Sequence, residues 1–186
     1  MGIKELVFDN KSKNSSRFFG TMLKWLDVPA RDKINDAGKL LAASGMCSGQ
    51  IVLEIGCGSG YFTLPAARLL GTGGRLVSVD LHPAAVEETQ KKVTAAGLHN
   101  VTVQREDGIN TTLADGLFDV ILVYGVLPAP FISTVDISRE MYRLLKPGGI
   151  YAIWTMVPLW SPNEALKAAP FKKLKTIDGV FRLQKI

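Results

Sequence analysis

The chain has 186 residues, 47% of them hydrophobic and 21% charged, with a net charge of +5 and two cysteines. This length suits one domain with a sizeable core, and the composition is that of an ordinary globular protein. Cys47 and Cys57 are too few for a disulfide framework or a metal cluster, so we expect no metal and a reduced, cytoplasmic location. No apolar stretch reaches the roughly 20 residues that span a bilayer, which predicts no membrane partner.

Strand-like and helix-like segments alternate from residue 51 onward, which is the pattern of a parallel α/β sheet. Asp178-Gly179 between two β-like runs, 171–177 and 180–186, predicts a hairpin at the end of the chain. The predicted fold class is therefore α/β, with a seven-stranded, mostly parallel sheet, an antiparallel C-terminal hairpin strand and helices on both faces. The other strands are predicted over 51–55, 75–79, 101–105, 118–123 and 150–155, with helices over 64–70, 83–97 and around 137–145.

The N-terminal part of the chain is expected to be separate from this sheet. Residues 30–186 are predicted to form the domain, beginning with an amphipathic helix over 30–44 that Gly45 ends. Residues 1–29 have no clear periodicity. Their large apolar residues are Phe18, Phe19, Met22, Trp25 and Leu26.

A turn with three closely spaced glycines follows the first predicted strand, in the segment IVLEIGCGSGYFT. Gly56, Gly58 and Gly60 permit backbone angles and close approaches that a side chain would prevent. Strand, glycine turn and helix form the βα unit that holds nucleotide-like ligands at the carboxyl edge of a parallel sheet. The dinucleotide pattern G-x-G-x-x-G is missing, because Tyr61 occupies the place of the third glycine. Glu54 adds a carboxylate that suits a cation better than a pyrophosphate.

The run VLEIGCGSG resembles the first motif of the class I S-adenosylmethionine-dependent methyltransferases. Over residues 30–186 the chain is most similar in general pattern to the ubiquinone/menaquinone-biosynthesis-like members of that family. The resemblance implies a Rossmann-like sheet, S-adenosylmethionine as cofactor and S-adenosylhomocysteine as product, with no metal. For residues 1–29 it implies a lid over the cofactor and substrate, and a helix packed on the sheet is the alternative.

Acidic residues follow the second and third predicted strands, at the sheet edge where the glycine turn lies. Asp80 is placed to accept the ribose hydroxyls of an adenosine-type cofactor, and capping of the helix that starts at Pro83 is the alternative. The resemblance implies that Asp107 receives the adenine amino group, although Asp-Gly also forms ordinary turns. The expected cofactor-binding residues are Glu54, Gly56, Cys57, Gly58, Gly60, Asp80, Leu81, Asp107, Gly108, Ile109 and Tyr124.

The resemblance places the methyl acceptor near Tyr124, at the end of the fourth predicted strand. Tyr124 is the catalytic candidate, as a hydrogen-bond donor or a base, and a role as a wall of the acceptor pocket is favoured over either. The Asn/Asp-Pro-Pro-Tyr type of motif found in amino-group methylases is missing, which favours a small molecule over nucleic acid. Residues 156–160 contain Val157, Leu159 and Trp160, which suggests an apolar or aromatic acceptor, and closure of the core is the alternative role for them.

Three other functions remain open at this point. An RNA or protein methyltransferase would use the basic residues around 11–17 and 167–175. A nicotinamide-dependent oxidoreductase is disfavoured by the missing third glycine and by Glu54. A domain that binds the cofactor without catalysis is the third possibility. No pattern in the sequence identifies the acceptor, the methylated atom or the oligomeric state.

Overall fold

The structure of the protein is a computed structural model that describes residues 36–186. Its strands are β1 (Ile51–Ile55), β2 (Arg75–Asp80), β3 (Val101–Arg105), β4 (Phe118–Tyr124), β5 (Leu145–Trp154), β6 (Phe171–Lys173) and β7 (Phe181–Lys185). Its helices are α1 (Ala37–Ser44), α2 (Thr63–Leu70), α3 (Pro83–Ala95), α4 (Thr134–Leu144) and α5 (Asn163–Ala168).

The strands of the described range form one seven-stranded sheet in the order β3-β2-β1-β4-β5-β7-β6. Strands β1 to β5 pair in parallel, whereas β7 is antiparallel to both β5 and β6. The order reverses between β1 and β4, and in open α/β sheets ligands bind in the crevice outside the carboxyl ends of the strands at such a point. The predicted fold class, a mostly parallel seven-stranded sheet with an antiparallel C-terminal strand, is confirmed.

Helices bury both faces of the sheet, as predicted. On one face Ile137 and Met141 of α4 pack with Leu53 of β1 in an apolar cluster. On the other face Ala66 and Leu70 of α2 pack in a second cluster, which also holds residues of α1. Four of the five residues of β1 are buried, which explains its continuous apolar run.

Several element boundaries differ from the predictions. Strand β5 begins at Leu145 instead of residue 150, because its pairing with β4 jumps from Phe118↔Leu145 to Val120↔Ile150 and so includes an irregular LKPGG segment. The hairpin is confirmed, with Asp178 and Gly179 both at positive φ between the bridged residues Ile177 and Val180. Its ladder is shorter than predicted, since β6 ends at Lys173.

The predicted N-terminal segment, residues 1–29, lies outside the described residues, as does the first part of the helix predicted over 30–44. The described part of that helix, α1, begins at Ala37. The side chain of Asp36 accepts a hydrogen bond from Lys39 N at 3.0 Å, and Gly45 ends the helix with φ 89°. Among residues 36–186, no helix has the length and apolar character needed to cross a membrane.

Candidate functional site

A cavity of about 490 Å³ opens at the carboxyl ends of β1, β2 and β4. Its volume is within the range of small-molecule and cofactor sites. One side carries the carboxylates of Asp80, Glu106 and Asp107, and the other is apolar, formed by the loop after β4. The lining residues are Ile55, Gly56, Val79, Asp80, Leu81, Glu106, Asp107, Gly108, Ile109, Gly125, Val126, Pro128, Ala129, Pro130, Phe131, Ile132 and Ile137.

The glycine turn is bonded to the end of β2. The backbone N–H groups of Gly56 and Cys57 both donate to the carbonyl of Val79, at 2.8 and 3.0 Å. Gly56 has φ 81°, and a Cβ atom added to it would lie 2.5 Å from Cγ2 of Val126, a lining residue. Because both its backbone angle and its contact exclude a side chain, Gly56 lets the β1 and β4 loops meet at the floor of the cavity.

Helix α3 holds the other side of the glycine turn. Thr89 Oγ1 donates to the carbonyl of Gly58 at 3.0 Å, and Lys92 Nζ donates to the carbonyl of Ser59 at 2.9 Å. The sequence analysis missed these two residues. They lie three positions apart on one helix face, but nothing in their identity indicates that this face meets the turn.

Asp80 lines the cavity and connects three segments. Its Oδ2 accepts from Gly58 N at 3.0 Å and its Oδ1 accepts from His82 N at 2.9 Å. Burial raises the pKa of this carboxyl, and the backbone hydrogen bonds act in the opposite direction. An ionised carboxylate has about four acceptor positions, so the backbone donors leave at least one of them available to a ligand. The capping role considered for Asp80 is wrong, because His82 caps α3 by accepting from Ala84 N through Nδ1.

Glu54 lies behind the glycine turn and is not among the lining residues. It is 3% exposed, and its Oε2 accepts from Thr63 Oγ1 at 2.6 Å and from Ser78 Oγ at 2.7 Å. Burial raises the pKa of Glu54 to about 7, although the two hydroxyl donors favour the charged form. The carboxylate expected to suit a cationic ligand is therefore buried behind the turn, and its contact with a ligand stays a prediction.

Cys57 and Tyr124 are buried away from the cavity. Burial raises the pKa of the Cys57 thiol well above its usual range, which excludes a ready nucleophile. Tyr124 is 6% exposed, its hydroxyl donates to the carbonyl of Leu40 at 2.9 Å, and its ring stacks edge-on against Phe62 at 5.1 Å. Burial raises its pKa as well. The structure thus does not place Tyr124 in the lining of the cavity, to which Val126, two residues later, belongs.

The loop after β3 supplies the remaining predicted residues. Asp107, Gly108 and Ile109 all line the cavity, together with Leu81. Asp107 Oδ1 accepts from Ile109 N at 3.2 Å, which folds the loop into a tight turn. A Cβ on Gly108 would lie 2.8 Å from Cγ2 of Ile55, so this glycine is needed for the loop to lie against β1. Of the predicted cofactor-binding set, Glu54, Cys57, Gly58, Gly60 and Tyr124 are outside the lining.

Comparison with known proteins identifies the family. A family model described as a methyltransferase domain matches residues 47–183. The chain belongs to this family. It is 29% identical over 151 residues to a demethylmenaquinone methyltransferase from Geobacillus stearothermophilus, an alignment that covers 77% of the chain and 58% of the relative. It is 30% identical over 143 residues to a protein-L-isoaspartate O-methyltransferase from Methanococcus maripaludis, covering 77% and 64%.

Among solved structures, a SAM-dependent methyltransferase from Aquifex aeolicus superposes with a TM-score of 0.75 at 23% identity, covering 89% of this chain and 98% of that one. This likeness confirms the fold. The chain spans less than two thirds of the length of the two curated relatives, whose names give different acceptors. The class I S-adenosylmethionine-dependent methyltransferase family implied by the glycine motif is thereby confirmed, and the acceptor is not.

The methyltransferase cavity fits the charge of the family's cofactor. S-adenosylmethionine carries a sulfonium and an ammonium group against one carboxylate, so its net charge is positive. Three carboxylates and no basic side chain line the cavity among residues 36–186. The free acceptor positions on Asp80 suit ribose hydroxyls, and Leu81 and Ile109 offer apolar surface for a purine ring. No group of His, Cys, Asp and Glu in that range forms a metal site.

Proposed function

We propose that the protein transfers a methyl group from S-adenosylmethionine to a small, partly apolar acceptor bound against residues 125–132. The observation that carries this proposal is the division of the cavity. Carboxylates line the cavity after β2 and β3, on one side of the glycine turn, whereas the described lining residues after β4, on its other side, among them Val126, Pro128 and Phe131, include no charged group. A cationic cofactor and an uncharged acceptor therefore have separate, adjoining places.

The residues of the chain act by binding and orientation in this proposal. Asp80 accepts the ribose hydroxyls, Asp107 accepts the adenine amino group, and Gly56 leaves the space that the cofactor's methionine part requires. The bound sulfonium supplies a methyl group that is already activated for in-line displacement. The apolar loop aligns the acceptor with it and excludes water, which accounts for most of the catalysis that such a transfer needs.

The alternatives have less support. A pyrophosphate would meet three carboxylates and, within the described part of the chain, no basic lining residue, which disfavours a nicotinamide cofactor. The lysines proposed for an RNA or protein substrate within 167–175 are exposed, and they lie on α5, β6 and the residues after β6. Strand β6 is an edge strand of the sheet, separated from β4 by β5 and β7, whereas the cavity is at β1, β2 and β4. None of the lysines within 167–175 is among the residues that line the cavity. A domain that binds the cofactor without turnover is tested by the methylation assay below.

Ligand binding tests the cofactor half of the proposal. S-adenosylhomocysteine at a hundred-fold excess over its Kd is expected to stabilise the protein by about 2.7 kcal/mol in thermal or urea unfolding. Asp80→Asn is expected to weaken its binding at least about tenfold, since one acceptor oxygen toward the ribose is lost. Asp136→Asn, an exposed carboxylate on α4, is the matched control. Stabilisation by NAD without stabilisation by S-adenosylhomocysteine would refute the proposal.

Methylation of extracts tests the acceptor half. The protein is incubated with methyl-labelled S-adenosylmethionine and separate fractions of a cell extract: organic-soluble metabolites, aqueous metabolites, RNA and protein. We expect label in the organic-soluble metabolites, because the described lining of the acceptor end has no charged side chain. Label that appears only in RNA or protein would exclude a small acceptor, and no label in any fraction would favour the non-catalytic alternative.

A further inference from the structure

The loop that links β3 to β4, residues 106–117, is fastened to α4 by the side chain of Glu140. Glu140 is only 9% exposed. Its Oε1 accepts two hydrogen bonds from Thr111, one from the backbone N at 2.8 Å and one from Oγ1 at 2.7 Å. The carboxylate therefore satisfies a buried backbone donor and a buried hydroxyl of the loop at the same time.

Arg143, one turn further along α4, binds the same loop through its guanidinium. Nη1 donates to the carbonyl of Leu113 at 2.9 Å and to the carboxylate of Asp115, and Nη2 donates to the carbonyl of Thr111 at 3.3 Å. Nε and Nη2 also donate to the two oxygens of Glu140, at 2.9 and 2.6 Å. Planar, forked guanidinium geometry is what allows one side chain to make these contacts together.

Glu140 and Arg143 hold each other in the charged state. Burial opposes ionisation of Glu140, but the hydrogen bonds from Arg143 and Thr111 outweigh it and lower the pKa of the carboxyl. The hydrogen bonds to Glu140 raise the pKa of Arg143. Charge-assisted bonds of this kind are roughly twice as strong as neutral ones. The two side chains, which form a Glu140–Arg143 clamp, therefore bind the loop more strongly than neutral side chains would.

The clamped loop is the one that carries Asp107, Gly108 and Ile109 into the cavity. Glu106, just before Asp107, is bonded to a later residue of the same loop, because its Oε2 accepts from Thr112 N at 3.1 Å. The turn that presents Asp107 is thus closed by the bond between Glu106 and Thr112. It is also attached to α4 by the bond between Glu140 and Thr111. The clamp is out of the cavity, since neither Glu140 nor Arg143 is a lining residue.

We propose that Glu140 and Arg143 are positioning residues that hold the Asp107 turn in place and so set the selectivity of the site for a 6-amino purine over a 6-oxo purine. The inference rests on the proposed function, in which Asp107 accepts the adenine amino group. A carboxylate accepts from an amino group and is repelled by a carbonyl oxygen. That discrimination depends on the carboxylate staying within hydrogen-bond distance of the ring substituent.

The test compares the Kd of S-adenosylhomocysteine with that of S-inosylhomocysteine, whose purine has an oxygen in place of the amino group. Titration calorimetry is done on the wild type, on Arg143→Met and on Arg139→Met. Arg139 is the matched control, since it is exposed on the same helix and pairs with Asp136 of that helix at 3.4 Å. We expect the wild type to prefer S-adenosylhomocysteine, Arg143→Met to reduce the ratio of the two Kd values about tenfold, and Arg139→Met to keep it.

A clamp that only stabilises the fold would give a different result. In that case Arg143→Met would lower the melting temperature and leave the Kd ratio at the wild-type value, and the inference would be overturned. If Arg143→Met does not fold, Arg143→Lys serves instead. Its single ammonium cannot reach Glu140 and both loop carbonyls together, so a reduced ratio is again expected, and an unchanged ratio overturns the inference.

The two proposals fail in distinguishable ways. A wild type that binds neither ligand refutes the proposed function, and the selectivity inference falls with it. A wild type that binds both ligands equally leaves methyl transfer from S-adenosylmethionine standing, but it refutes the contact between Asp107 and the adenine amino group and, with that contact, the inference.

Discussion

Glu54→Gln should change how the stability of the protein depends on pH. Glu54 is buried next to Thr63 and Ser78, and its pKa is raised from the ordinary 4.5 to about 7. At about 1.36 kcal/mol for each pH unit of difference, this corresponds to roughly 3 kcal/mol. In the unfolded chain the same carboxyl releases its proton near its ordinary pKa, so the folded state is the one that keeps the proton between these two values.

The sign follows from the direction of the pKa change. A group that holds its proton more tightly in the folded state contributes its full stability below about pH 4.5, and this contribution is lost as the pH rises toward 7. The amide that replaces the carboxyl in Glu54→Gln would not titrate. The free energy of unfolding of the wild type, relative to that of Glu54→Gln, should therefore fall by about 3 kcal/mol between about pH 4 and pH 8.

Urea unfolding at a series of pH values, followed by tryptophan fluorescence, measures this difference. Glu164→Gln, an exposed carboxyl on α5, is the control and should keep the pH profile of the wild type. Asp80 repels the charged form of Glu54, so the difference between the two profiles includes this coupling as well as the burial of Glu54. Parallel profiles for the wild type and Glu54→Gln would refute the reasoning, because they would show that Glu54 titrates alike in the folded and unfolded chains.

Three further substitutions test the packing around the site. Gly56→Ala should destabilise the protein by at least about 1 kcal/mol more than Gly49→Ala and weaken S-adenosylhomocysteine binding. Both glycines have positive φ, but a Cβ added to Gly49 would meet no described atom within 4 Å, whereas one added to Gly56 would lie 2.5 Å from Val126. Urea unfolding and calorimetry measure the two effects. Leu53→Ala, in the core, should lower the free energy of unfolding by about 2–5 kcal/mol, as measured with urea, and Leu69→Ala should lower it clearly less because Leu69 is 38% exposed. Equal losses would contradict the assigned core. Tyr124→Phe should lower the free energy of unfolding by about 1 kcal/mol, because the hydrogen bond to Leu40 is lost, and should leave the affinity for S-adenosylhomocysteine unchanged. A large loss of affinity would show that Tyr124 contributes to the cofactor site.

The predictions that succeeded depend on local chain chemistry. The run 51–55 is apolar almost throughout because β1 is buried on both faces, and the Asp178-Gly179 pair indicates a hairpin because both residues adopt positive φ there. The glycine turn is recognisable for the same reason. In each case neighbouring residues alone determine the local backbone, so the sequence shows it directly.

The prediction for Tyr124 shows why some parts of the site could not be predicted from the sequence. Side chains alternate along a strand, so Tyr124 shares a face of β4 with Val120 and Leu122, whereas Ile121 and Val123 belong to the face that continues into the cavity. Strand β4 is apolar on both faces, and its sequence pattern does not tell which face meets the ligand. The Glu140–Arg143 clamp could not be predicted either, because its partners are about 30 positions away along the chain and no local pattern connects them.

The two hydrogen bonds of Asp80 have a consequence for the thermodynamics of binding. Because Gly58 N and His82 N fix both oxygens, the carboxylate is already oriented before any ligand arrives. A ligand hydroxyl that bonds to it does not have to immobilise a free side chain, which otherwise costs about 0.5–1.5 kcal/mol. The entropic penalty at this position is therefore incurred when the chain folds rather than when it binds, and binding there should be rigid-body in character.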